Sequence, residues 1–273
     1  MADRLPVTGL VAEAWRLAAR SFVPGLRWLG ALVLASGLYT VALESASGGG
    51  SVLALALLAA VFCAGVAWSL SIYRTMLGQQ TGSFLSLAHA NISIYTAFLF
   101  VSVFIVFFLG ILPGILLEVS GRTDLGAETD PAIVQAAIRD MLPTPYGAVL
   151  LIACALGLWA LCFFAIRLLL VGAATVRSGE TLVFRTWPWT KGHALRLGLA
   201  ALGTHVLPFA VAVGLNAALA GVLGDGSVAG FLRGSIGALL LAPFILAGHG
   251  LAVSALPRLA PAPGPTEEIA SAA

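Results

Sequence analysis

The chain has 273 residues, of which 60% are apolar and only 10% charged, with a net charge of +2 and a mean hydropathy of +1.02. Soluble domains carry roughly 25% charged residues, so these charges are too few to coat a globule of this size in water, and the surplus apolar surface must face lipid. The small net charge argues against a basic face large enough for nucleic acid.

In chain order, residues 8–22 come first. They set Leu10, Val11, Ala14, Leu17, Ala18 and Phe22 on one face against Glu13, Arg16 and Arg20, with Thr8 placed as N-cap. The pattern predicts an amphipathic helix in the headgroup plane, with Trp15 at its lipid-facing edge. The first apolar run starts behind this charged segment, so no cleaved signal peptide is expected.

Six apolar runs follow, at 26–45, 51–73, 94–118, 147–171, 196–222 and 233–256. Each is long enough to cross about 30 Å of hydrocarbon. Lipid offers no partner to a bare backbone N–H or C=O, so each run is expected to be a helix. Polar-apolar stretches at 75–95 and 178–198 precede the third and fifth runs much as 8–22 precedes the first. The expected fold is therefore an all-α integral membrane protein, one transmembrane domain over 1–260. It has six transmembrane helices as three hairpins, each led in by a cytoplasmic interfacial segment. The 119–146 connection carries a short helix, with Asp130 as N-cap, Pro131 at its first position and an apolar stripe of Ile133, Val134, Ala137, Ile138 and Met141. The Pro/Ala-rich tail, 261–273, is expected to be disordered.

Basic residues set the orientation. Eleven flank one side: Arg4, Arg16, Arg20, Arg27, Arg74, Arg167, Arg177, Arg185, Lys191, Arg196 and Arg258. Three flank the other: Arg122, Arg139 and Arg233. The excess predicts that the first side, with both termini, is cytoplasmic. Tryptophans gather there too (Trp15, Trp28, Trp68, Trp187 and Trp189), with Trp159 deeper, as in an anchoring collar.

The layout, with WPWTKGHALRLG leading into one span and VGAATVRSGET leaving the one before, resembles bacterial six-span membrane proteins. Among these is the membrane domain fused to some bacterial glycerophosphodiester phosphodiesterases. The resemblance implies a six-span fold in a bacterial inner (plasma) membrane. It does not imply hydrolase activity, because the chain has no room for the catalytic domain of those fusions.

No P-loop, H-E-x-x-H, C-x-x-C or G-x-S-x-G occurs. Span four has no serine, which rejects a rhomboid-type protease. Cys63, Cys154 and Cys162 sit in apolar runs as inert thiols, and the four histidines show no ligand spacing. Neither enzymatic activity, nor a metal, nor a cofactor is expected. Ionisable groups inside the spans are costly and mark candidate sites. Arg167, His205 and His249 each lie nine or ten residues from the arginine flanking their span, about 14 Å at 1.5 Å per residue. They form one expected polar layer, serving a proton- or anion-responsive site or, more plainly, interhelical hydrogen bonding. Glu44 and Glu118 read as solvated span ends. Gly110 and Gly114, with Pro113 between them, read as a hinge, a dimer face or ordinary close packing. Pro208 leaves the Thr204 carbonyl without its helical donor, beside His205.

Trp15, Arg16, Arg20, Trp187, Trp189 and Lys191 form the candidate contact set for membrane lipids or for a membrane or cytoplasmic partner protein. The expected role is non-enzymatic organisation of lipid or partner through the cytoplasmic face. The alternative is a small transporter or channel using the Arg167, His205 and His249 layer.

Overall fold

A computed structural model describes residues 5–45, 50–78, 81–122 and 129–261. Arg4, residues 46–49, Asp124, Glu128 and the tail from 262 onward lie outside them. Among the described residues the chain is all-helical. Six of its helical segments are long and apolar enough to cross a membrane, so by length and composition it is a multi-pass membrane protein.

The helices are α1 (Val7–Glu44), α2 (Gly50–Leu77), α3 (Phe84–Val119), α4 (Pro131–Met141), α5 (Pro145–Leu168), α6 (Val171–Ser178), α7 (Ala194–Ala201), α8 (Leu207–Leu223), α9 (Ser227–Leu240) and α10 (Ala242–Leu259). A π-turn, Leu202–Val206, joins α7 to α8 in one span. The last span is interrupted at Leu241, two residues before Pro243, whose ring nitrogen cannot donate to the preceding turn.

The segment expected to lie flat before the first span is instead the beginning of α1. That helix runs unbroken for 38 residues, about 57 Å, through Pro24. Most of its apolar face is covered by the chain itself, with Leu10, Ala14 and Ala18 buried and Val11 and Leu17 half-buried, while Phe22 stays 41% exposed. Protein packing, not the headgroup layer, receives most of that face.

The chain divides into two compact units. One comprises Met1–Ser93 with Ile166–Ala273, the other Ile94–Ala165. In the first, α1 is the central element and packs against α2, α9 and α10. Small residues set these crossings. Gly250 sits on the Ala14 backbone, Gly234 on Thr40 and the Ser36 carbonyl, Gly230 on the Glu44 carboxylate, and Gly37 on Ser235 and Phe231. A side chain at any of these glycines would hold the helices apart. Trp68 is 1% exposed, in a core with Leu29, Leu32, Ile72 and Leu246. It is a packing residue, not the collar anchor its position in the sequence suggested.

The larger core lies where α1 and α7 begin, α2 and α10 end, and α6 sits whole. It gathers Leu10, Tyr73, Leu87, Val176, Leu197, Leu251 and Leu256. The basic residues cluster along the same stretch of sequence, so this is called the basic end. The helix α6 is buried on nearly every side and stops at Gly179, whose φ of 79° only glycine adopts readily. The hydroxyl of Thr81 donates to the Val176 carbonyl at 3.1 Å, and Arg74 donates to the Gly82 carbonyl at 2.6 Å.

The second unit holds the later part of α3, α4 and most of α5. Asp130 caps α4 as expected, its carboxylate accepting from the Ala132 N–H at 2.8 Å with Pro131 at the first position. Ala137 and Met141 seat α4 on Leu116, Leu117 and Leu150. Along the rest of the pair the contacts are side chain to side chain: Phe98 meets Phe164 edge-on at 5.2 Å, and Gly157 faces Ile105 and Leu109. Gly110 and Gly114 have nothing beside them within 4 Å, so they do not pack a helix of this chain.

Candidate functional site at the basic end

Of the three residues of the expected polar layer, Arg167 and His205 lie at breaks in helices, whereas His249 lies within α10. Arg167 is one residue from the end of α5, before the Leu169–Leu170 turn that leads into α6. It is 7% exposed, and its guanidinium lies 4.8 Å from the Trp187 ring centre. Trp187 is held there by two short turns, Phe184–Thr186 and Pro188–Thr190. The hydroxyls of the buried Thr186 and Thr190 donate to the Val183 and Trp187 carbonyls. A planar cation over an indole face is a favourable way to bury an arginine.

His205 lies in the π-turn. Pro208 has no N–H for the Thr204 carbonyl, and Leu207 donates five residues back, to Leu202. Two carbonyls, those of Gly203 and Thr204, thereby lose their ordinary helical donors. The Gly203 carbonyl is taken by the Trp15 indole N–H at 3.2 Å. The buried Thr204 hydroxyl donates to the Ala200 carbonyl and lies 2.9 Å from His205 Nδ1. The imidazole meets Phe244 edge-on at 5.4 Å. Its Nε2 faces Gly248, where even a Cβ would come within 2.6 Å.

His249 follows Gly248 on α10 and stacks on Tyr73 at 4.3 Å with 23° between the planes. So α10 brings His205 and His249 to neighbouring positions, while Arg167 takes an aromatic partner of its own. Each polar residue thus has an aromatic or hydroxyl partner inside the chain. Among the described residues, His, Cys, Asp and Glu do not gather in threes as a metal site would need.

Of the contact set, Arg16, Arg20 and Lys191 are exposed, and Trp187 and Trp189 are half-buried. Trp15 is 38% exposed and anchored by its hydrogen bond rather than free at a lipid edge. Sequence reasoning missed Tyr73, whose pairing with His249 joins residues far apart in the chain. It also missed the ion pair at the opposite end of α1, where Arg233 reaches Glu44 at 2.8 Å.

No protein-family model matches the chain, and neither a curated protein nor a solved structure matches it.

Proposed function

We propose that this chain is a non-enzymatic multi-pass protein of a bacterial inner membrane that organises lipid or a partner protein through its cytoplasmic face. In this reading its six spans form three hairpins, and the basic end and both termini are cytoplasmic. The observation that carries it is the make-up of the basic end: a packed protein layer with Arg16, Arg20, Arg185 and Lys191 exposed on its outside. A layer built this firmly at the headgroup level presents fixed charge to whatever lies against it. The in-chain partners of Arg167, His205 and His249 support the same reading, because they account for the intramembrane polar groups as interhelical contacts. The resemblance to bacterial six-span membrane domains points the same way.

A second reading, transport, draws on one observation. A π-turn places His205 next to His249 in the bundle, and such turns recur at functional sites. The two readings separate in one comparison. Extraction of the full chain with its surrounding bilayer is expected to enrich one lipid class or one protein, and to lose it in an R16Q/R20Q/R185Q/K191Q variant. No enrichment, together with solute or proton flux in vesicles that vanishes in His205→Ala/His249→Ala, would overturn the proposal in favour of transport.

A further inference from the structure

The helix α1 carries an arginine row that the packing of the bundle leaves outside. At about 100° per residue, Arg16, Arg20 and Arg27 fall within roughly 40° of one another on the helix wheel. Leu10, Ala14, Ala18, Ser21, Gly25, Leu29 and Leu32 form the buried side of the same helix. Their mean direction is about 150° away from the row. All three arginines are exposed, and Val23, 69% exposed, lies alongside the row between Arg20 and Arg27. The row therefore points away from the protein core, toward the surrounding membrane.

Depth agrees with direction. Counting about 20 residues, or 30 Å, back from Glu44 puts the inner hydrocarbon edge near residue 25. Arg27 then enters at that edge, with a side chain that leans toward the helix N-terminus and so toward the headgroups. Arg20 stands about 7 Å beyond it, at the outer rim of the headgroup layer, and Arg16 about 13 Å beyond it, roughly one side-chain length outside that rim. Of the two carboxylates on α1, Glu44 is at the far end and Glu13, near the row, faces Arg258 at 3.7 Å. The row thus keeps its positive charge.

We infer that this face of α1 is a docking row for anionic phospholipids, the guanidinium groups of Arg16, Arg20 and Arg27 holding headgroup phosphates and Val23 lying against an acyl chain. Guanidinium forks match phosphate oxygens in geometry as well as charge. The inference rests on the reading of the basic end as the cytoplasmic, lipid-organising face, and it names the lipid class and the residues.

The test reconstitutes the full chain in vesicles of phosphatidylcholine and phosphatidylglycerol in equal parts, then counts retained lipids by native mass spectrometry. Wild type is expected to retain phosphatidylglycerol over phosphatidylcholine. R16Q/R20Q/R27Q is expected to lose that preference, by about fivefold per arginine and on the order of a hundredfold for the three. R139Q, at an exposed arginine of α4 outside the contact set, is expected to keep it. Should the triple glutamine variant fail to fold, R16K/R20K/R27K is expected to keep part of the preference, having charge without the fork. Wild-type retention in the triple glutamine variant, or full retention in the lysine variant, overturns the row. If R185Q/K191Q loses the lipid instead, the row is overturned while the lipid-organising end stands. If wild type shows no preference, the row falls and the proposed function passes to a protein partner.

Discussion

The indole N–H of Trp15 donates to the carbonyl of Gly203 across 188 positions of sequence, and it does so because a proline five residues further on changed the helix. Pro208 cannot close its own turn, Leu207 bonds back to Leu202, and the Gly203 carbonyl is left for a side chain. The first helix is thus fastened to the π-turn between α7 and α8 by a backbone irregularity, with Val11 seated on Gly203 beside the bond.

That relationship predicts a coupling. Trp15→Phe keeps the ring and removes the donor, and should cost about 1 kcal/mol in thermal or denaturant unfolding of the purified chain. Pro208→Ala restores a helical N–H and lets Gly203 recover an α-helical donor. In the Pro208→Ala background the cost of Trp15→Phe should shrink by at least half. Strictly additive effects in the double-mutant cycle would show that the π-turn does not create the acceptor.

The glycines of α9 give a second prediction. Gly230 and Gly234 press on Glu44, Thr40 and the Ser36 carbonyl, whereas Gly110 and Gly114 have nothing within 4 Å. Gly234→Leu should therefore cost about 1–3 kcal/mol and lower the amount of folded protein in membranes. Gly110→Leu should leave stability within about 0.5 kcal/mol of wild type. Equal losses at both sites, read by thermal aggregation in detergent, would refute the packing assigned to α9.

The far end of α1 offers a third. Arg233 pairs with Glu44 at 2.8 Å, with side chains 27% and 40% exposed. Solvent screening limits such a pair to about 0.5–1 kcal/mol. Glu44→Gln should lose that much; Arg233→Gln, which also gives up the Gly224 carbonyl at 3.3 Å and Asp225 at 3.9 Å, should lose somewhat more, and the double variant no more than Arg233→Gln. Raising salt should narrow the gap between wild type and the single variants. A double variant that loses the sum of both would mean that each residue acts through some other contact.

How much of this the sequence carries depends on which end of a helix is read. Away from the basic end, five of the six runs stop within two residues of the helix that contains them, as at Ser45 against Glu44 and Glu118 against Val119. There hydrocarbon gives way to water and hydropathy changes abruptly. Toward the basic end the helices overrun the apolar runs, α1 starting at Val7 where the run starts at 26, and α3 at Phe84 where it starts at 94. Beyond the lipid those helices enter a protein layer, where polar and apolar residues alternate and hydropathy no longer marks the boundary. Asp130 and Pro131 are legible because a cap is local chemistry. The roles of Trp68, Tyr73 and Glu44 are not, because they depend on partners distant in sequence. The G-x-x-x-G that stands out in a span, Gly110 to Gly114, lies in open space, and the one that packs, Gly230 to Gly234, has the same spacing. Spacing alone does not say which glycine faces a helix.

The last prediction concerns Arg167. Its guanidinium, 4.8 Å from the Trp187 ring centre and 7% exposed, closes α5 where the chain turns into α6. A desolvated cation–π contact is worth about 2 kcal/mol. Trp187→Leu keeps an apolar cover but removes the π face, and should cost about that much. Arg167→Lys should recover little of it, because an ammonium does not stack as a planar guanidinium does. Arg167→Gln combined with Trp187→Leu should cost less than the two separate losses added together, since the first change removes the charge that the second leaves uncovered. Unfolding midpoints of wild type and these four variants in one detergent decide it. Full recovery by lysine would assign Arg167 a charge role alone, and additivity would place its stabilising contacts somewhere other than Trp187.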